Sequence, residues 1–131
     1  MSKLVIIDKD PMEHFVIKHL LKENTYFSQV THATDANLVI EFIEEHKHNP
    51  DLLPDIIFLD LTLPHLGSCD FLNGLLNLYN QLLKDIDVYL LSPSIHDDDV
   101  KLSTQYPFVR SLFSKPLDEE ALTGIIVQAN T

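Results

Sequence analysis

The chain has 131 residues, one cysteine and a formal charge of −11. That length suits one domain with a single core, and the acidity argues against nucleic-acid binding, which needs clustered Lys and Arg. No apolar run approaches the ~20 residues that span a bilayer, no secretory h-region opens the chain, and a lone Cys69 without an activating base fits a reducing cytoplasm.

Five apolar runs alternate with five helix-period segments. The first strand is expected at Lys3–Asp8, followed by a helix at Pro11–Asn24. Asp10 before Pro11 reads as an N-cap with proline at the first helical position. Met12, Phe15, Val16, His19 and Leu20 fall on one face of that helix. A more polar strand at Ser28–Ala33 suits a sheet edge, and a helix at Asp35–Lys47 carries Leu38 and Phe42 at helical spacing. The third strand, Pro54–Asp60, and the fourth, Ile86–Ser92, are apolar throughout, the pattern of strands buried on both faces. Between them a helix is expected at Ser68–Lys84, with Leu72, Leu75, Leu76 and Tyr79 in register. A helix at Asp97–Gln105, a strand at Phe108–Ser114 and a helix at Asp118–Ala129 complete the chain. Asp118-Glu119-Glu120 places negative charge at the last helix's N-terminus.

Strict alternation of strand and helix predicts a doubly wound parallel sheet, an α/β three-layer sandwich, with ligands beyond the carboxyl ends of the strands. Asp8, Asp60, Ser92 and Lys115 stand there. In the order 2-1-3-4-5, the first and third strands are neighbours ~5 Å apart, so Asp8 and Asp60 face each other. Two such carboxylates hold a divalent cation or keep a proton. A hydroxyl and an ammonium nearby add an anion site, the arrangement that attack by a carboxylate on a phosphoryl group requires. Singly, the aspartates and Ser92 read more readily as turn formers or helix caps, and Lys115 could be a solvated loop lysine. Their joint placement at four strand ends carries the functional reading.

The chain resembles the response-regulator receiver domain over nearly its whole length. The resemblance rests on IIDKDP (Ile6–Pro11), PDIIFLDLTLP (Pro54–Pro64), the SCDFL segment that follows, YLLSPS (Tyr89–Ser94) and FSKPL (Phe113–Leu117). It implies a flavodoxin-like (βα)5 fold, with Asp60 accepting a phosphoryl group from a histidine kinase or histidine phosphotransfer protein. It implies Mg²⁺ held by Asp8, Asp60 and the backbone carbonyl of Thr62, contacts from Ser92 and Lys115 to the phosphoryl group, and a cis peptide bond before Pro116. Residues 1–131 would then be one stand-alone receiver without an output domain, cytoplasmic, monomeric or weakly dimeric. It would be no enzyme beyond its own phosphorylation and dephosphorylation, with an unknown downstream protein as its target.

Departures from the family pattern matter. Receivers have two acidic residues after the first strand, where this chain has Asp8-Lys9. Lys9 either pairs with Asp8 and Asp60 in place of a metal, or extends to solvent; a positive charge there lowers metal affinity in both geometries. Pro93 stiffens the segment after Ser92, and Leu112 stands where an aromatic switch is usual. These features favour a second reading, a phosphorylation-independent interaction module. A flavodoxin-like cofactor binder or phosphohydrolase is a third, weakened by only three glycines and no phosphate-cradling loop. His65, beside the acceptor, reads as a solvent-facing loop residue.

Overall fold

The computed structural model describes residues 2–62 and 67–129, so His65 lies outside the described residues. Its first half contains β1 (Ser2–Ile7), α1 (Pro11–Leu20), β2 (Phe27–Ala33), α2 (Ala36–Glu45) and β3 (Ile56–Asp60). The second half contains α3 (Gly67–Tyr79), β4 (Asp87–Ser92), α4 (Asp97–Ser103), β5 (Val109–Ser114) and α5 (Glu119–Ala129). The strands form one sheet in the order β2-β1-β3-β4-β5, and every pairing is parallel. This is the doubly wound parallel sheet that the alternating pattern predicts, in the flavodoxin-like form that the family resemblance implies, with the polar strand β2 at an edge.

All five residues of β3 are buried, and their alternation divides the core in two. Ile57 and Leu59 face a layer that includes Ile43 of α2 and Phe71, Leu72 and Leu75 of α3. Ile56 and Phe58 face the other layer, with Ile17 of α1 and Leu122 and Ile125 of α5. A sheet covered on both faces needs apolar side chains on both sides of its central strands, which is why β3 and β4 lack polar alternation.

Two local expectations are corrected. The shared face of α1 is not its buried face: Met12 and Phe15 are 65% and 66% exposed, and the helix seats itself through Glu13 and Ile17. Apolar residues on both sides of α1 made the stripe ambiguous, and contact with α5 decided it. The third helix stops at Tyr79 and does not reach Lys84. Gln81 and Leu82 donate to carbonyls three residues back, tightening the last turn. Lys84 then donates to the carbonyls of Pro50 and Leu53 and pairs with Asp55 at 3.1 Å.

Candidate functional site

Backbone hydrogen bonds continue past the strand ends and fix the residues beyond them. The Asp8 amide donates to Ala33, Leu61 to Leu91 and Lys115 to Ser92, at 2.8 to 3.0 Å. Lys115 precedes Pro116 through a cis peptide bond, as the FSKPL motif implies.

These anchors bring three charged groups together. Lys115 Nζ lies 2.6 Å from Asp8 Oδ2 and 2.9 Å from Asp60 Oδ1. Both carboxylates are 1% exposed. Asp60 is held further by the Thr62 amide, which donates to Oδ1 at 2.9 Å, and by the Thr62 hydroxyl, 2.7 and 2.9 Å from the two oxygens. The buried Ser68 hydroxyl donates to the Asp60 backbone carbonyl at 2.7 Å, tying the acceptor to the start of α3. Asp8 Oδ1 accepts the Asp10 amide at 2.9 Å, and Asp10 caps α1 by accepting from Met12. One ammonium thus bridges two buried carboxylates whose other lone pairs are mostly satisfied, the condition under which buried charge is tolerated.

The protonation states follow. Burial pushes the Asp60 carboxyl upward, but hydrogen bonds from the Thr62 amide, Lys115 and the Thr62 hydroxyl outweigh it and hold the carboxyl below its ordinary value. Burial disfavours the Lys115 ammonium, yet its bonds to Asp8 and Asp60 raise its pKa above the ordinary lysine value. The same ammonium bridges the two side chains in one carboxylate–ammonium–carboxylate contact.

Lys9 is exposed, and among the described residues it makes no ion pair. The cation on Asp8 and Asp60 is Lys115, so of the two geometries open to Lys9 the solvent-facing one is found. Ser92 is buried at the end of β4, in register with Ser114. Its hydroxyl donates to the Ser94 carbonyl at 2.9 Å and lies 3.4 Å from Asp99 Oδ2. It is at the same sheet edge as the triad but turned into the segment leading to α4.

Sequence reasoning missed three neighbours. Ser68 lies in the SCDFL segment, but sequence spacing alone does not show that its hydroxyl meets the Asp60 carbonyl. His14 donates from Nε2 to the Asp8 carbonyl at 2.7 Å, because a carbonyl only accepts, and its Nδ1 meets His32 Nδ1 at 2.8 Å. Glu13 is 6% exposed beside the triad; its place three residues after an N-cap reads as an ordinary dipole-favouring acid.

The two carboxylates offer the hard oxygens that Mg²⁺ prefers. Because both reach one Nζ, a single cation could touch both. Among the described residues no group of three His, Cys, Asp or Glu side chains gathers as a metal cluster. A magnesium ion here would complete its shell with a backbone carbonyl and water, which is how Mg²⁺ is ordinarily held.

No family model matches the chain, and no curated protein matches it. Solved structures do. A two-component response regulator from Cytophaga hutchinsonii superposes with a TM-score of 0.85 at 20% identity, covering 98% of this chain and 96% of that one. A two-component response regulator from Legionella pneumophila gives 0.80 at 18% identity, covering 99% and 98%. The Mn²⁺-bound form of response regulator Rcp1 gives 0.73 at 22% identity, covering 96% and 89%. The chain has the fold of response-regulator receiver domains.

Proposed function

We propose that this chain is a receiver module of two-component signalling that takes a phosphoryl group onto Asp60 from a histidine kinase or histidine phosphotransfer protein. The observation that carries the reading is the convergence of Asp8, Asp60 and Lys115 at the carboxyl edge of the sheet. In the transfer, an Asp60 carboxylate oxygen attacks phosphorus and forms an acyl phosphate. The phosphorus–nitrogen bond of the donor breaks, and its electron pair leaves with the imidazole. Asp60 is ionised for this role because its hydrogen bonds outweigh burial. Lys115 neutralises charge on the transferred oxygens, and the Thr62 amide and hydroxyl hold the acceptor in line. Ser92 would join only after its hydroxyl leaves Ser94.

Asp8, Asp60 and the Thr62 carbonyl would hold Mg²⁺, which when bound screens the carboxylate charge from the incoming phosphoryl group. Lys9 places a positive charge at the rim of that site and weakens the metal. Among the described residues no helix is long and apolar enough to cross a membrane. Acting beside its kinase, such a module would work in the cytoplasm, as a monomer or weak homodimer.

The turned-away Ser92 hydroxyl and exposed Lys9 favour a second reading, a docking module that works without phosphorylation. Incubation with a small phosphodonor and Mg²⁺, followed by intact-mass measurement, separates the two. The phosphorylated reading predicts one phosphoryl adduct, lost in Asp60→Asn and formed faster in Lys9→Asp. The absence of an adduct in wild type and in Lys9→Asp would favour the docking module.

A further inference from the structure

Two histidines distant in sequence meet outside the carboxylate corner. His14 lies in α1 and His32 in β2; their Nδ1 atoms are 2.8 Å apart, with ring centroids at 4.9 Å and planes inclined by 69°. His14 gives its Nε2 proton to the Asp8 carbonyl at 2.7 Å. In the neutral ring its Nδ1 therefore carries a lone pair, and His32 Nδ1 supplies the proton between them. An imidazole whose far nitrogen is tied to a backbone carbonyl, which fixes tautomer and ring orientation, is how metal-ligating histidines are ordinarily held. Both rings stand on regular elements: Asp10 caps α1, His32 is in register with Ile6, and the Asp8 amide bonds to the Ala33 carbonyl. His14 is half-buried and His32 exposed, so water reaches the pair.

We propose that His14 and His32 form a two-nitrogen site for a borderline transition-metal dication of the Ni²⁺ or Cu²⁺ class, separate from the oxygen site at Asp8 and Asp60. Ligands ~2.0 Å from an ion lie ~2.8 Å apart at a right angle and ~3.3 Å apart at the tetrahedral angle. The spacing found is that of neighbouring positions in a square-planar or octahedral shell, whereas tetrahedral zinc would have to spread the rings by ~0.5 Å. On binding, the ion takes the place of the proton between the two Nδ1 atoms. That proton moves to His32 Nε2, and the exposed ring turns to aim its lone pair, so neither imidazole changes charge. Among the described residues no third His, Cys, Asp or Glu side chain joins them, and water fills the remaining positions. Magnesium, which takes oxygen ligands, is not a competitor there. Lys18, four residues after His14, shares its side of α1 and opposes the ion. The inference does not rest on the phosphoacceptor reading.

Calorimetric titration of the full chain with Ni²⁺ tests it. Wild type should take up one equivalent ahead of any other. His32→Thr, which keeps a strand-forming side chain, should weaken that equivalent about a hundredfold, at least the loss that follows removal of an outer partner of a ligand. Lys18→Met should tighten it. The pair of changes His46→Ala and His48→Ala, at the end of α2, should leave it unchanged. Equal affinity in wild type and His32→Thr, or loss of the equivalent on changing His46 and His48, overturns the proposal and leaves a hydrogen bond only.

Asp60→Asn separates this site from the functional reading. It ends phosphoryl transfer but should retain the Ni²⁺ equivalent; loss of the equivalent there would put the ion on the carboxylates and overturn the proposal. Pulsed EPR of the Cu²⁺ complex gives an answer that depends on no variant's folding. Two imidazoles coupled to one copper are expected in wild type, and one or none overturns the site.

Discussion

The two ends of this site are built differently. At the β1–β3–β5 corner, two carboxylates at 1% exposure share one ammonium, and the Asp60 carboxylate receives further donors from Thr62. Around β4 and α4, the Ser92 hydroxyl is spent on its own loop, Pro93 is exposed, and α4 contributes no buried residue. Asp99 accepts the His96 amide at 3.0 Å while standing 3.4 Å from Ser92, and Leu102 packs, partly buried, against the core. The contrast teaches where the resting molecule concentrates its electrostatics. The corner that would take up a phosphoryl group is assembled beforehand; the segment that would respond is lightly held, as elements that move tend to be.

The largest expected effect comes from removing the shared cation. Lys115→Met leaves two buried carboxylates uncompensated and should cost about 3 to 5 kcal/mol in denaturant titration at neutral pH. Addition of Mg²⁺ should restore part of the loss if the metal takes the same oxygens. A loss no larger than that of Ser92→Ala would erase the distinction between the two ends.

The pH profile follows from the same bridge. Asp60 is depressed in the folded state, so its contribution is present above its ordinary value of 3.8 and is lost as pH falls through the lower folded value. Lys115 is raised, so its contribution is present below 10.5 and is lost as pH rises through the higher folded value. Thermal melts across pH should therefore show both limbs in wild type and in Ser92→Ala, and both should shrink in Lys115→Met.

At the α4 end, Asp99→Ala removes the acceptor for the His96 amide and should cost about 1 kcal/mol. Faster amide exchange confined to α4 is the signature; loss of protection in β3 would contradict a loosely attached segment. Smallest in stability is Lys9→Asp, expected within about 0.5 kcal/mol of wild type. Its effect belongs to ligand binding: isothermal titration should show tighter Mg²⁺. Unchanged affinity would mean that the solvent-facing charge at residue 9 does not reach the site.

Much of this was legible in the chain itself. The runs Ile56–Leu59 and Val88–Leu91 marked central strands because only a sheet covered on both faces tolerates them, and alternation pointed to a parallel sheet, while the strand order came from the family resemblance. The Asp8–Asp60–Lys115 corner was legible because a parallel sheet gathers its strand ends at one edge. Rotation of α1 was not, since Met12 and Phe15 have the same hydropathic character as the residues that α5 covers. Nor was the true occupant of the space between the carboxylates. Lys9 and Lys115 are both long cations, and the fold seats Lys115 on the two carboxylates while Lys9 stays exposed. Glu13 was hidden because position alone cannot distinguish a solvated first-turn acid from a buried one.

The central claim is that Asp60 is the nucleophile of this corner. Treatment with a small phosphodonor and saturating Mg²⁺, then borohydride reduction of any acyl phosphate, converts the phosphorylated aspartate to homoserine, which peptide mass mapping locates. The account predicts homoserine at position 60 alone and none in Asp60→Asn. Homoserine at another aspartate, or at none, would contradict it.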